Sequence, residues 1–193
     1  AAISAKNKNK KRKFKINKKI FYKNPLRIID KNKIDILFEC IGLSDGISKK
    51  VVEKALKNGI HVITPNKALI SKHGDYLSNI AERKKVNLEF EASVGGGIPI
   101  LRTIKEGLST NKITKVYGIL NGTSNFILSQ MADKRMDFNN VLYEAKKLGY
   151  AESNPIADIN GDDAKSKIQI LSSLAFNSLI NRSKINVEGI KNI

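Results

Sequence analysis

Residues 34–67 hold an apolar run, a segment with helical spacing and a second apolar run, and this succession restricts the fold more than any other stretch of the chain. Ile34-Asp35-Ile36-Leu37-Phe38-Glu39-Cys40-Ile41-Gly42 is short, apolar and ends in glycine, which reads as a buried parallel strand. Ser48 to Lys57 sets Val51, Val52, Ala55 and Leu56 on one helical side and stops at Asn58-Gly59. Ile60 to Thr64 reads as the next strand, Pro65-Asn66-Lys67 opens a further helix, and Val86 to Glu91 reads as a third strand. Parallel strands need a crossover helix, and such sheets bind ligands at the carboxyl ends of their strands. Those ends are Cys40-Ile41-Gly42 and Thr64-Pro65-Asn66-Lys67.

The positive charge is concentrated at one end of the chain. The formal net charge is +17 over 193 residues, but residues 1–29 hold 11 of the 35 basic side chains and none of the 18 acids. Lys6 to Lys23 has ten basic residues with Phe14, Phe21 and Tyr22 between them. One reading is a nucleic-acid-binding arm with stacking aromatics; the preferred one is a solvated connection, because no nucleic-acid-binding motif follows. Nucleic acid is therefore not the expected partner. No run of 18 apolar residues is present, so no membrane partner is expected, and the opening Ala1-Ala2-Ile3-Ser4-Ala5 lacks the apolar stretch of a secretory signal. The one cysteine, Cys40, is compatible with a reducing cytoplasm. His61 and His73 are too differently placed to form a metal pair, and His61, heading a strand, reads as structural. Nothing reads G-x-G-x-x-G between a strand and a helix. The expectation is that the sequence starts past that turn and is a fragment, inactive when isolated.

The second half is predicted to run as a helix over 101–108, a strand over Ile113–Leu120, the turn Asn121-Gly122-Thr123, a helix over Asn125–Met131 and an amphipathic helix from Phe138 to Leu148. Gly149 stops that helix, and residues 149–167 then gather four carboxylates and two lysines. Gly161 and Asp162 signal a new helix start, which puts Asp163 and Lys167 at i and i+4 on one face. A surface ion pair of this kind is worth about 0.3–0.5 kcal/mol. The alternative is that Lys167 exchanges a proton with a reacting oxygen, Asp163 fixes its position, and Glu152 and Asp158 hold a cationic part of the substrate. Gly95-Gly96-Gly97 reads as a tight turn, or as one whose exposed backbone faces a hard cation or a phosphate.

Three stretches then act together. Gly149-Tyr150-Ala151-Glu152-x-x-Pro155, followed by Asp158 and by Gly161-x-Asp163-Ala164-x-x-Lys167, resembles the substrate-site segment of homoserine dehydrogenase. Phe90 to Ile100 resembles that family's hinge segment, and Tyr117-Gly118-Ile119-Leu120-Asn121-Gly122-Thr123-x-Asn125 its third signature. The order of motifs is similar from about Ile34 to Ile190. The resemblance implies an α/β fold: a partial Rossmann-type parallel sheet over 1–92, then an α+β catalytic and dimerisation domain over 93–193. It implies an oxidoreductase that interconverts L-homoserine and L-aspartate 4-semialdehyde with NADP or NAD, on the route to threonine, methionine and isoleucine, in the cytoplasm. By position it makes Lys167 and Lys67 catalytic, Glu152, Asp158 and Asp163 substrate-binding, and Cys40, Gly42, Thr64, Lys67 and Gly149 cofactor-binding. It further implies a monovalent cation, sodium, on backbone oxygens of Glu91, Val94, Gly96 and Ile98, and a homodimer at full length. A fusion to an aspartate kinase is the alternative within the same activity.

Overall fold

Ile3–Ser4 (β1) and Phe21–Tyr22 (β2) pair in parallel, with Ile3 beside Phe21 and Ser4 beside Tyr22, in a computed structural model that describes all residues, 1–193. The lysine-rich stretch is thus the crossover between two strands. The Arg12 guanidinium gathers it by donating to the carbonyls of Asn7 at 2.7 Å, Lys10 at 2.9 Å and Lys8 at 3.1 Å. Leu26–Lys31 (α1) follows, buried through Ile28 and Ile29.

The strand, helix, strand succession forms as read. Ile36–Phe38 (β3), Ile47–Lys57 (α2), His61–Ile63 (β4), Lys67–Lys84 (α3) and Leu88–Glu89 (β5) give a parallel sheet in the order β3, β4, β5. Leu37, Val62 and Leu88 sit side by side in the register and are all buried. Val51, Val52, Ala55 and Leu56 of α2 and Leu69, Ile70, Leu77 and Ala81 of α3 complete this core. Gly59 ends α2 with φ 75°, a left-handed conformation that costs glycine little. His61 has the structural role its position suggested, its Nδ1 accepting the Asn87 N–H at 3.0 Å.

One expectation fails in this half. The run 34–42 reads as a strand buried on both faces, but Ile36 is 50% and Phe38 68% exposed. Both point away from the helices, and burial of both sheet faces requires a helical layer on each. A cleft of about 860 Å³ opens there, lined by residues of Ala1–Lys6 on one side and of Ile34–Ile41 on the other.

The chain divides into two units, Ala1–Ile98 and Pro99–Ile193, where the sequence suggested a division at 92/93. The second unit opens with Ile100–Arg102 (α4), which runs into a π-type turn over Thr103–Gly107, so the helix expected over 101–108 is present but irregular. The strand expected over Ile113–Leu120 does not form. No partner strand exists in this unit, a strand needs a neighbour to satisfy its backbone, and Tyr117 and Ile119 are 84% and 77% exposed.

Helices build the rest: Gly122–Lys134 (α5), Phe138–Leu148 (α6), Ile156–Ile159 (α7) and Asp162–Ala175 (α8). Asp137 caps α6 by accepting the N–H groups of Asn139 and Asn140, and Gly149 ends it at φ 82°. Ile127, Val141, Ala145, Ala151, Ile159 and Ile190 form the core of this unit, and Phe126 stacks on Tyr150 with centroids 4.2 Å apart. No helix is long and apolar enough to cross a membrane.

Candidate functional site

Asn121 caps α5, its Oδ1 accepting the Ser124 N–H at 2.8 Å, so its amide nitrogen is held in a fixed direction. That nitrogen donates to Asp158 Oδ1 at 2.7 Å and to Asp163 Oδ2 at 2.9 Å. Two carboxylates from two helices thus share one neutral donor. Ser124 Oγ donates to the Asp158 carbonyl at 2.9 Å, and Thr123 Oγ1 to the Tyr150 carbonyl at 2.7 Å, which ties the acidic loop to the start of α5.

Lys167 meets the same cluster from one turn further along α8. Its Nζ is 2.7 Å from Asp163 Oδ2, and it donates to the Leu120 carbonyl at 2.6 Å. The pair is not the solvated surface contact that i, i+4 spacing usually gives, because the side chains are only 21% and 11% exposed. Burial pushes the Lys167 ammonium below the ordinary lysine range, and the negative charge of Asp158 opposes that shift. An ammonium has three donors. Asp163 and Leu120 take two of them.

Glu152 does not join this network: it is exposed in the loop before α7. Gly149 is exposed too, as the left-handed cap of α6. Asp162, next to the pair, faces Arg182 at 3.9 Å.

Gly161 starts α8 at φ 81°, and a Cβ there would lie 2.7 Å from Val187 Cγ1. Gly161→Ala is expected to lower the stability of this unit by about 1–3 kcal/mol, through a left-handed alanine and displacement of Val187. Chemical denaturation measures it, and an unchanged midpoint would contradict the assignment.

In the first unit the strand ends form a second cluster. Cys40 and Gly42 are exposed, and Gly42 is left-handed at φ 89° with no atom within 4 Å of a Cβ position, so a ligand has room to approach its backbone. Lys67 is the first residue of α3, half-buried. Thr64 is 1% exposed; its hydroxyl donates to Glu39 Oε2 at 2.6 Å and accepts the Asn66 N–H at 3.0 Å, which turns its side chain inward. Asp45, before α2, bonds Lys72 at 2.7 Å and His73 at 2.9 Å, and these hydrogen bonds, that of Lys72 foremost, hold its carboxyl well below the usual range. Glu91 to Ile98 make a 3-10 turn and then a glycine turn, with Gly95 at φ 79°, Gly96 at φ 59° and the Ile98 N–H donating to Gly95 O at 3.0 Å.

Two residues of these clusters were not singled out by the sequence. Asn121 stood in a recognised turn, and its place before Gly122-Thr123 at a helix start is the signal of a cap. Glu39 stood in an apolar run, where a buried acid is rare enough to mark a site.

Comparison with known proteins agrees with both halves. A profile described as "Homoserine dehydrogenase" matches residues 99–193, and one described as "Homoserine dehydrogenase, NAD binding domain" matches residues 1–91. The homoserine dehydrogenase of Neisseria gonorrhoeae is 45% identical over 90% of this chain and 40% of its own length. The crystal structure of a homoserine dehydrogenase from Thiobacillus denitrificans superposes with a TM-score of 0.84 at 44% identity, over 90% of this chain and 40% of that one. A hyperthermophilic archaeal homoserine dehydrogenase in complex with NADPH superposes with a TM-score of 0.74 at 30% identity, over 80% of this chain and 48% of that one. The chain spans about two fifths of the length of the curated relatives it matches. With matched profiles leaving out only residues 92–98 and with these relatives on both halves, the chain belongs to the homoserine dehydrogenase family.

Proposed function

We propose that these residues serve the reversible, NAD(P)-dependent conversion of L-aspartate 4-semialdehyde to L-homoserine. The observation that carries this reading is the half-buried Lys167 paired with Asp163 beside Asp158, with Asn121 between the two acids. The nicotinamide, when bound, supplies or accepts the hydride at C4. The chain's own residues handle the proton and the charges.

In the reducing direction the Lys167 ammonium donates to the oxygen that becomes a hydroxyl, and the positive charge stabilises the developing alkoxide. In the oxidising direction the neutral amine takes that proton back. Asp163 holds Lys167 in place, and Asp158 offers negative charge to the substrate ammonium. Glu152, exposed in the same loop, serves as a second anionic partner when substrate is bound. The strand ends at Cys40, Gly42, Thr64 and Lys67 suit the dinucleotide, because a parallel sheet presents its carboxyl ends to ligands and Gly42 leaves the backbone accessible. Gly149, the exposed left-handed cap of α6, is a further backbone position open to a ligand.

The left-handed glycines of the 95–97 turn support a monovalent cation on backbone oxygens of Glu91, Val94, Gly96 and Ile98. The exposed Tyr117 and Ile119, on an extended segment without a partner strand, support a homodimer. A cytoplasmic place in threonine, methionine and isoleucine biosynthesis goes with the activity.

A pH profile tests the central step. Because burial lowers the Lys167 pKa, homoserine oxidation is expected to rise with pH through a value below the ordinary lysine pKa of about 10.4, and semialdehyde reduction to fall through the same value. The measurement is kcat in both directions, on the complete polypeptide containing residues 1–193. Absence of turnover, or profiles that do not oppose each other, would sink the reading.

A further inference from the structure

The first unit contains a buried carboxylate that the proposed chemistry does not use. Glu39 is 2% exposed at the end of β3, and a carboxylate there is costly unless its lone pairs are satisfied. Its partners are neutral donors. Oε1 accepts the N–H of Ile41 at 2.7 Å and that of Gly42 at 3.3 Å, and Oε2 accepts the Thr64 hydroxyl at 2.6 Å.

The chain of bonds then closes on itself. Thr64 Oγ1 accepts the Asn66 N–H at 3.0 Å, Asn66 Oδ1 caps α3 by accepting the Leu69 N–H at 3.1 Å, and Asn66 Nδ2 donates to the Leu43 carbonyl at 2.8 Å. One carboxylate therefore sets the shape of the turn after β3 and, through Thr64 and Asn66, of the turn after β4. The first pair of bonds folds the strand end back under Glu39 and fixes Gly42 in its left-handed conformation. Packing alone gives no reason for a charge at this point, since an apolar residue of the same size would avoid the desolvation cost. The partners give one: every bond to the Glu39 carboxylate comes from backbone or side chain at the two strand ends on the ligand-facing edge of the sheet.

We propose that Glu39 is a positioning residue for the dinucleotide, a buried latch that holds the Cys40–Leu43 and Thr64–Lys67 turns in the shape that receives it. This rests on the NAD(P)-binding reading above. Glu39 does not touch the ligand; it acts through Gly42 and Thr64.

The test uses Glu39→Gln and Thr64→Val in the complete polypeptide containing residues 1–193, both close in size to the native residues. Glu39→Gln removes the charge and one of the two acceptor oxygens, and Thr64→Val removes the hydroxyl that donates to Glu39. The Kd and KM for NADPH are expected to rise about 10-fold to 100-fold, while in Glu39→Gln the KM for aspartate 4-semialdehyde stays within about threefold of the unsubstituted value. The double variant is expected to be no worse than either single one, because both act on the same latch. A lowered unfolding midpoint with unchanged NADPH affinity would reduce Glu39 to a structural role and overturn the proposal. If the unsubstituted polypeptide binds no NADPH, the functional reading fails and the latch with it; if it binds NADPH and Glu39→Gln binds equally well, the latch fails alone.

Discussion

Lys167→Ala is expected to lower kcat by about 10²-fold to 10⁴-fold, the usual contribution of a positioned acid or base. Affinity for the dinucleotide is expected to stay near its original value, because the lysine belongs to the helix after the acidic loop and its bonds run to Asp163 and Leu120. The loss has two parts. One is the proton itself, and the other is the positive charge that balances Asp158 and Asp163 and would face a developing alkoxide. Steady-state kinetics separate them: a small primary amine added to Lys167→Ala restores proton transfer, and partial rescue that depends on the amine's pKa would identify the first part. Equal losses in kcat for Lys167→Ala and Lys165→Ala would count against the assignment, since Lys165 lies on α8 outside the acid cluster.

The second large effect belongs to Asn121. Asn121→Ala removes a helix cap, worth about 1 kcal/mol, and two bonds to charged acceptors, worth about 1.5–3 kcal/mol each in favourable settings. A net loss of about 2–4 kcal/mol in stability is expected. The chemical consequence is as large. Without the shared amide donor, Asp158 and Asp163 lose the group that bridges them, and Asp163 is no longer held toward Lys167 from two sides. Asn121→Asp separates the two roles, because aspartate keeps the cap but adds a third acid. Denaturation should place both variants below the unsubstituted protein, the cap kept by Asn121→Asp being offset by a carboxylate oxygen facing Asp158 and Asp163, with kcat low in both. An Asn121→Asp variant with undiminished kcat would mean that the shared donor plays no part in the site.

Much of this was legible in the residues, and the gaps have physical causes. The parallel unit followed from two short apolar runs around Val51, Val52, Ala55 and Leu56, because helical spacing between strands leaves few connections. The spacing of Asp163 and Lys167 predicted their contact but not their burial, which depends on Leu120 and Asn121 arriving from a segment more than forty residues earlier. Periodicity cannot report a partner so distant in sequence. The failures at Ile36, Phe38 and Ile113–Leu120 share one cause. Each run has strand chemistry, but chemistry names a tendency, whereas burial and pairing require a neighbour. Glu39 was hidden for the opposite reason: it looks like an interruption of an apolar strand until the turn amides and the Thr64 hydroxyl are seen to converge on it.

The cleft beside β3 has a consequence for handling the molecule. Its walls are apolar on the sheet side, and Ile36 and Phe38 stand beside backbone that nothing pairs on that flank. A strand in this condition templates the addition of another polypeptide. At the high concentrations used for crystallisation or spectroscopy, copies of residues 1–193 would therefore tend to stack through this flank, and charge repulsion from the basic crossover nearby would weaken as salt is added.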